Sequence, residues 1–487
     1  MGLKQELAEI VGAENVFDDS ETLRWYSQDM SLAAPRKPAC VVKVKSTDEV
    51  QKLVELANKE LIPLTPISSP DGPRSHGDTI PAPGGVVVDL SRANKVLKVD
   101  RRNKVAHIQP GVTFSQLSSE LKESGLKPFM TLMPRRTKSV LTSYLEKNPI
   151  LIPRHHWDTL DPILTLEVVY GTGDVMRTGS AAGPGTTDEL MAAGVGHVSP
   201  FGPDNMDFAR LVQGAQGTMG IVTRATCACS LMPKIQYPYF VMSEKMGALI
   251  EFMYTILRKR LGEELFLINN FALANISCNK PEDIRSVSAE LAPWIVFLNI
   301  CGYEQRPEER IAYQEADITE IAKEYGLALR HSVGGISSFE LLKGLESPPE
   351  DTHWKLRFRG NCQDIVFMTT LDRVQELVDQ LYKIAAQQGY APNEIGVYIQ
   401  PVVQGSSCQC EIDLMYDPEN VREVEKIKSL YLYLCEALAN SGAFYSRPYG
   451  AMADIAYRRD AETTALLRKV KAIFDPKNIL NPGKLCF

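Results

Sequence analysis

The sequence predicts an α+β chain with more than one domain, and three observations predict it. The length, 487 residues, suits two or three domains. Residues 40–232 read as short strands, each followed by an amphipathic helix or a turn. After Met232 the pattern changes: longer strands such as "WIVFLNICG", "DIVFMTT" and "EIGVYIQP" alternate with helices at 306–325, 370–389 and 418–440. We therefore divide the chain at 1–232, 233–440 and 441–487.

Taken in order, "ACVVKVKS" is a strand, and "STDEVQKLVELANKELI" is a helix with a Ser/Thr cap and Val50, Leu53, Val54 and Ala57 on one face. "IPLTPISS" is a second strand, followed by a proline-rich loop over 68–85. "VVVDLS" and "VAHIQPG" are further strands, and a helix begins after Thr113. "LTLEVVY" and "GDVMRTG" form a hairpin around Gly171 and Gly173. The tail helix stops before "DP" and gives way to the loop "NPG".

Composition excludes several classes. Hydrophobic content is 44%, charged content 23% and net charge −7, ordinary for a globular enzyme. There is no basic run of the kind that meets a nucleic-acid backbone, so no nucleic-acid partner is expected. The window "MGALIEFMYTIL" repeats its apolar residues at helical spacing around Glu251 and is an amphipathic helix, so no membrane span is expected. The N-terminus lacks a secretory pattern, and ten dilute cysteines suit a reducing compartment, so a cytoplasmic location is expected. Cys227/Cys229 and Cys408/Cys410 lie in alternating strand-like runs and read as buried thiols, with no metal site expected.

The segment "LVQGAQGTMGIVTRAT" places Gly214, Gly217 and Gly220 just before a strand. Glycine costs backbone entropy, so such a cluster serves either a tight turn or a ligand that touches the main chain. The spacing is not that of a dinucleotide fold, and a strand follows where that fold has a helix.

Together "STDEV", "GGVVVDLSRANKVLKVD", "HIQPGVTFSQL", "EVVYGTGDVMRTG", "GAQGTMGIVT" and "DPKNILNPGK", in this order, resemble the vanillyl-alcohol-oxidase-like (PCMH-type) FAD-binding oxidoreductase family. The segment "HHWDTLDPILTLEVVYGTGDVMRTG" resembles the vanillyl-alcohol oxidase and 4-cresol dehydrogenase branch. The resemblance implies a two-part FAD-binding domain formed by 1–232 and the returning 441–487, with an α+β cap carrying an antiparallel sheet. It implies FAD as cofactor and a hydride taken from a small alcohol or phenol-like substrate, with electrons passed to a separate acceptor: an iron–sulfur protein, a cytochrome or an electron-transfer flavoprotein. A homo-oligomer or a subunit of a complex is expected. Two alternatives stay open: an electron-relay subunit, and an FAD-linked 2-hydroxyacid dehydrogenase. The cap segment "GVYIQPVVQGSSCQCEIDL" lacks the histidine of the latter's metal-binding motif, which weighs against it.

By the same resemblance, Gly217, Thr218, Gly220, Ile221 and Val222 run along the FAD, with Pro110, Gly111 and Asn481 nearby. The first phosphate loop departs from the family: "PISSPDGPRSHGDTIPAP" keeps only Gly72 and Gly77 and spends positions on proline, which has no N–H. Ser68, Ser69 and Ser75 hydroxyls are the expected substitutes. In the second loop, Arg135, Arg136 and Lys138 are expected to meet the diphosphate by charge. Expected catalytic residues are His76 (base, substrate contact or covalent flavin link), His155 (standing where relatives have an acid), Tyr445 and Arg447 (stabilising an anion). Arg357, Arg359, Tyr398, Gln400 and Tyr449 are the expected substrate contacts, the first four because i and i+2 share a strand face.

Overall fold

A computed structural model describes residues 2–72, 74, 76–77, 79–153, 162–194, 196–202, 207–347 and 352–487. Three sheets carry the architecture. The first is small and mostly parallel, in the order Val16–Phe17, Cys40–Lys43, Val86–Asp89, Leu64–Ile67. Its valines and leucines pack under the helix Thr47–Glu60, whose first turn is capped by Ser46 accepting from the Glu49 amide. Val50, Leu53, Val54 and Ala57 are the buried face, as their spacing predicts.

The second sheet is antiparallel and centres on the long strand Gly220–Leu231, with Val105–Ile108 on one side and Ile163–Tyr170 on the other. Cys227 and Cys229 point into the core from this strand, and burial pushes the Cys229 thiol up to about 12. Ile163–Tyr170 pairs in turn with Val175–Arg177, the hairpin read from the sequence.

The third sheet has seven antiparallel strands and includes Ile235–Ser243, Trp294–Gly302, Leu265–Asn269, Ile395–Val402, Ser407–Tyr416 and Asn361–Thr369. Strand alternation divides it between two cores. Leu265 and Leu267 pack with the helices Met246–Lys259, Val374–Gln387 and Val421–Asn440. Phe266, Ile268, Phe240, Phe297 and Tyr398 face the other way and join the core of the second sheet. The cap is thus fixed to the rest of the chain by an apolar face. No described helix is long and apolar enough to cross a membrane.

The tail closes the structure. The helix Ala461–Phe474 ends at Asp475, whose carboxylate accepts the amides of Ile479 and Leu480 at 3.0 and 2.8 Å. Lys471 reaches across to the Thr218 carbonyl at 2.6 Å, and Leu64 donates to Ile479 at 2.7 Å. These bonds hold the glycine turn and the edge strand Leu64–Ile67 in one place, which sets the wall of the cleft described next.

Candidate active site

The loop after Leu64–Ile67, the segment 131–149, the turn 212–222 and the cap strands enclose a cleft with about 1790 Å³ of empty space including its mouth.

At its inner end a polar cluster is assembled from four parts of the sequence. His76, from the loop, is stacked on Tyr449, from the tail, with ring centroids 4.4 Å apart. Its Nε2 lies 3.3 Å from a terminal nitrogen of Arg447, and its Nδ1 lies 3.4 Å from Asp364 of the cap. His76 holds a backbone φ of 77°, rarely adopted by a side-chain-bearing residue and costly by about 1–3 kcal/mol, so packing fixes it there. Arg447 is 2% exposed, and its Nε and Nη1 are buried without a partner among the described residues. Burial works against the Arg447 charge; the fields of Tyr449, Glu146, Glu411 and Asp364 outweigh it, so the guanidinium stays protonated.

Behind this cluster, Lys355 bridges Asp364 at 3.1 Å, Glu411 at 2.6 Å and Asp413 at 2.9 Å. The ammonium is the cation these three carboxylates share. Burial opposes the ionisation of Asp364, but Lys355 and His76 outweigh it and hold its carboxyl well below the usual range. Asp413, fully buried, is instead pushed up to about 7 by burial, with Glu411 and Asp364 adding to the effect against Lys355. A carboxylate fixed on the His76 Nδ1 orients the ring, and Nε2 accepts from Arg447 Nη2 at 3.3 Å.

Of the residues expected from sequence, Ser68, Ser69, His76, Pro110, Arg135, Lys138, Gly217, Gly220, Ile221, Val222, Tyr398, Arg447 and Tyr449 line the cleft. Several are already engaged. The Ser68 hydroxyl bonds Thr142, and Ser69 accepts the Ser139 amide at 3.1 Å. Arg135 pairs with Asp71 at 3.0 Å and Lys138 with Glu146 at 2.6 Å.

Others lie away from the cleft wall. Gly72 faces the Trp25 ring, and the Gly77 carbonyl accepts from Lys484 at 2.5 Å. Gly111 packs on the carbonyls of Leu90, Ser91 and Ala93. Thr218 bonds back to the Ala215 carbonyl at 2.7 Å, and Asn481 donates to the Gln216 carbonyl at 2.7 Å, so both shape the turn from behind. Arg357 caps the end of the helix Asn270–Ser277 through the carbonyls of Asn275, Ile276 and Cys278. Arg359 pairs with Glu394 and Glu423. Tyr445 donates to the Cys435 carbonyl at 2.6 Å, inside the cap core. Gln400 supports Tyr398 by accepting its hydroxyl at 2.6 Å, while its own amide donates to Leu265 at 3.0 Å. Ser75 and His155 lie outside the described residues.

Sequence reasoning missed Arg74, Lys355, Asp364, Glu411 and Asp413. The acids had a visible signal: they interrupt apolar strands, "NCQDIVFM" and "CEIDLMY", where a charge needs a partner. His353 and Trp354 also line the cleft, with Nδ1 and Nε1 buried and without a partner among the described residues.

The residues present fit FAD. The glycine turn runs along the cleft with Gly214 and Gly217 in left-handed conformations, φ 74° and 70°. A Cβ on Gly217 would lie 2.5 Å from Pro66 Cγ, and one on Gly220 would lie 2.5 Å from Val168 Cγ1. The glycines therefore seat the turn against its neighbouring strands while its main chain borders the cleft. The guanidinium nitrogens of Arg74 in the wall, unpartnered among the described residues, suit a ligand with anionic, acceptor-rich parts.

Comparison with known proteins agrees. Residues 38–179 match the model of the FAD binding domain, and residues 449–485 match that of the FAD linked oxidases, C-terminal domain. The chain is 24% identical to an uncharacterized FAD-linked oxidoreductase of Mycobacterium tuberculosis, over 98% of this chain and 97% of that protein. It is 23% identical to the glycolate oxidase subunit GlcD of Bacillus subtilis, over 99% and 96% respectively. The crystal structure of p-cresol methylhydroxylase with substrate bound superposes with a TM-score of 0.84, at 17% identity over 99% of this chain and 96% of that one. The chain carries an FAD binding domain and the C-terminal domain of FAD linked oxidases, it shares the fold of p-cresol methylhydroxylase, and its cofactor is FAD.

Proposed function

We propose that the protein is a dehydrogenase that takes a hydride from a small alcohol or phenol-like substrate and passes the electrons to a separate acceptor chain. The observation that carries this reading is the buried constellation of His76, Arg447, Tyr449 and Asp364 at the inner end of the cleft. Bound FAD supplies the hydride acceptor. Arg447 offers Nε and Nη1 to a substrate oxygen that gains negative charge as the reaction proceeds, and in a dry site such a donor pair is strongly stabilising. As substrate enters, the Arg447 Nη2 bond to His76 gives way, and Nε2 takes the proton that leaves the substrate hydroxyl, with Asp364 holding Nδ1. Tyr449 stacks on the ring and excludes water. The likeness in fold to p-cresol methylhydroxylase supports the phenol-like class.

One observation favours a second reading: a guanidinium fork with two open nitrogens also suits a carboxylate, and the relatives include a glycolate oxidase subunit. The substrate is then a 2-hydroxy acid, held by Arg447 at its carboxylate.

An anaerobic panel of substituted phenols, benzylic alcohols and 2-hydroxy acids tests both. The expected result is loss of the flavin absorbance with one of these classes. If none bleaches the flavin while dithionite does, the protein is an electron relay and the proposal is wrong.

A further inference from the structure

The first phosphate loop is poor in the groups that normally hold a diphosphate. Of its glycines, Gly72 turns toward Trp25 and Gly77 is held by Lys484. Pro70 and Pro73 supply no amide. The flanking hydroxyls of Ser68 and Ser69 are engaged with Thr142 and Ser139. The cations of the second loop are engaged elsewhere: Arg135 pairs with Asp71 and Lys138 with Glu146, while Arg136 donates to the Ser115 hydroxyl away from the cleft wall.

Arg74 is different. It is 7% exposed and lines the cleft, yet its Nε and Nη2 are buried with no hydrogen-bond partner among the described residues. Its guanidinium lies 4.6 Å over the Tyr26 ring, and Tyr26 is anchored by donating to Asp89 at 2.6 Å. The Arg74 carbonyl accepts the Met30 amide at 2.6 Å. Backbone and side chain are therefore both held. Stacking sets the plane of the guanidinium and leaves two adjacent nitrogens of its fork open. A buried cation without a counter-ion is strongly unfavourable, and an anion with paired oxygens removes that penalty.

We propose that Arg74 holds the diphosphate of FAD, its Nε and Nη2 replacing the main-chain amides that a glycine-rich loop would offer. The loop then binds the cofactor with a preset charge in place of a row of amides, and its prolines are no handicap.

The two halves of the cofactor separate this role from a general one, because ADP carries the diphosphate and riboflavin does not. Titration calorimetry of the apoprotein with FAD, ADP and riboflavin reads it directly. Arg74→Gln is expected to weaken FAD and ADP about tenfold to a hundredfold, the equivalent of one or two charge-assisted hydrogen bonds, and to leave riboflavin within about twofold. Arg74→Lys, which keeps the charge and loses the fork, falls between. Arg136→Gln is the charge control: Arg136 donates to Ser115 at 3.3 Å, does not line the cleft, and is expected to leave all three affinities unchanged. Unaltered FAD and ADP binding in Arg74→Gln overturns the proposal. So do equal losses for FAD and riboflavin, or an equal loss in Arg136→Gln. Should Arg74→Gln not fold, Arg74→Lys and the salt dependence of wild-type ADP binding decide. An ADP affinity flat in salt then overturns the assignment.

Discussion

Replacing Asp364 by Asn keeps the shape of the side chain and removes its charge from between the Lys355 ammonium and the His76 ring. Asp364 is 3.4 Å from His76 Nδ1 and 3.1 Å from Lys355 Nζ. Breaking a buried ion pair costs about 3–5 kcal/mol when the remaining charge has no other partner. Lys355 keeps Glu411 at 2.6 Å and Asp413 at 2.9 Å, so the loss of stability is smaller, about 1–3 kcal/mol. The effect on chemistry is larger. Without the carboxylate, His76 loses the group that fixes its ring and tautomer, and a positioned base is worth about 10²–10⁴ in rate. Asp364 lies on the cap strand Asn361–Thr369, not on the glycine turn or the phosphate loop, so FAD content is retained. The assay is anaerobic stopped-flow reduction at saturating substrate, followed at the flavin bands, with thermal unfolding in parallel. Reduction at least about a hundredfold slower in a folded, flavin-loaded protein is expected. A rate within twofold of wild type refutes the coupling of Asp364 to His76.

Two further outcomes follow from the same geometry. The Asp413 carboxyl is raised to about 7, against about 3.9 in an unfolded chain. The folded protein thus holds that proton more tightly, so the stabilisation is complete below the unfolded value and disappears as pH rises through 7. Asp413→Asn lacks this loss, and its melting temperature relative to wild type is expected to rise between pH 5 and pH 8; a constant difference over that range contradicts the assignment. Gly217→Ala places a Cβ 2.5 Å from Pro66 in a residue with φ 70°, and is expected to lower unfolding free energy by about 2–4 kcal/mol in urea titration and to weaken FAD binding as the turn lifts from the strand. Unchanged stability is the opposing result.

The sequence made one wall of the site readable and left the other obscure, for physical reasons. Gly214, Gly217 and Gly220 announced themselves because three glycines in seven positions are hard to explain otherwise. For Gly217 and Gly220 the immediate cause is close approach to Pro66 and Val168, and Gly214 takes a φ of 74° beside Lys147. His76, Arg447 and Tyr449 were found through the family resemblance, and the fold joins them across about 370 residues of chain. Tyr398 and Gln400 share a strand face, as period two requires, but only Tyr398 borders the cleft. Arg357 and Arg359 share no such face, because Trp354–Arg357 is a helical turn, and their charges are spent on a helix end and on two glutamates. The three acids showed as charges within apolar strands, but Lys355 was hidden because it sits on the helical turn Trp354–Arg357 and meets them only through the fold. Arg74 was hidden because a loop arginine reads as solvated until its burial is seen.

The account rests on Arg447 presenting open donors to a substrate oxygen beside the flavin. Pre-steady-state reduction of bound FAD in Arg447→Gln, compared with wild type at matched flavin loading, tests it most directly. Reduction slowed about a hundredfold or more, with the dissociation constant for FAD little changed, is the predicted result. An unaltered reduction rate would place the reacting oxygen elsewhere and contradict the account.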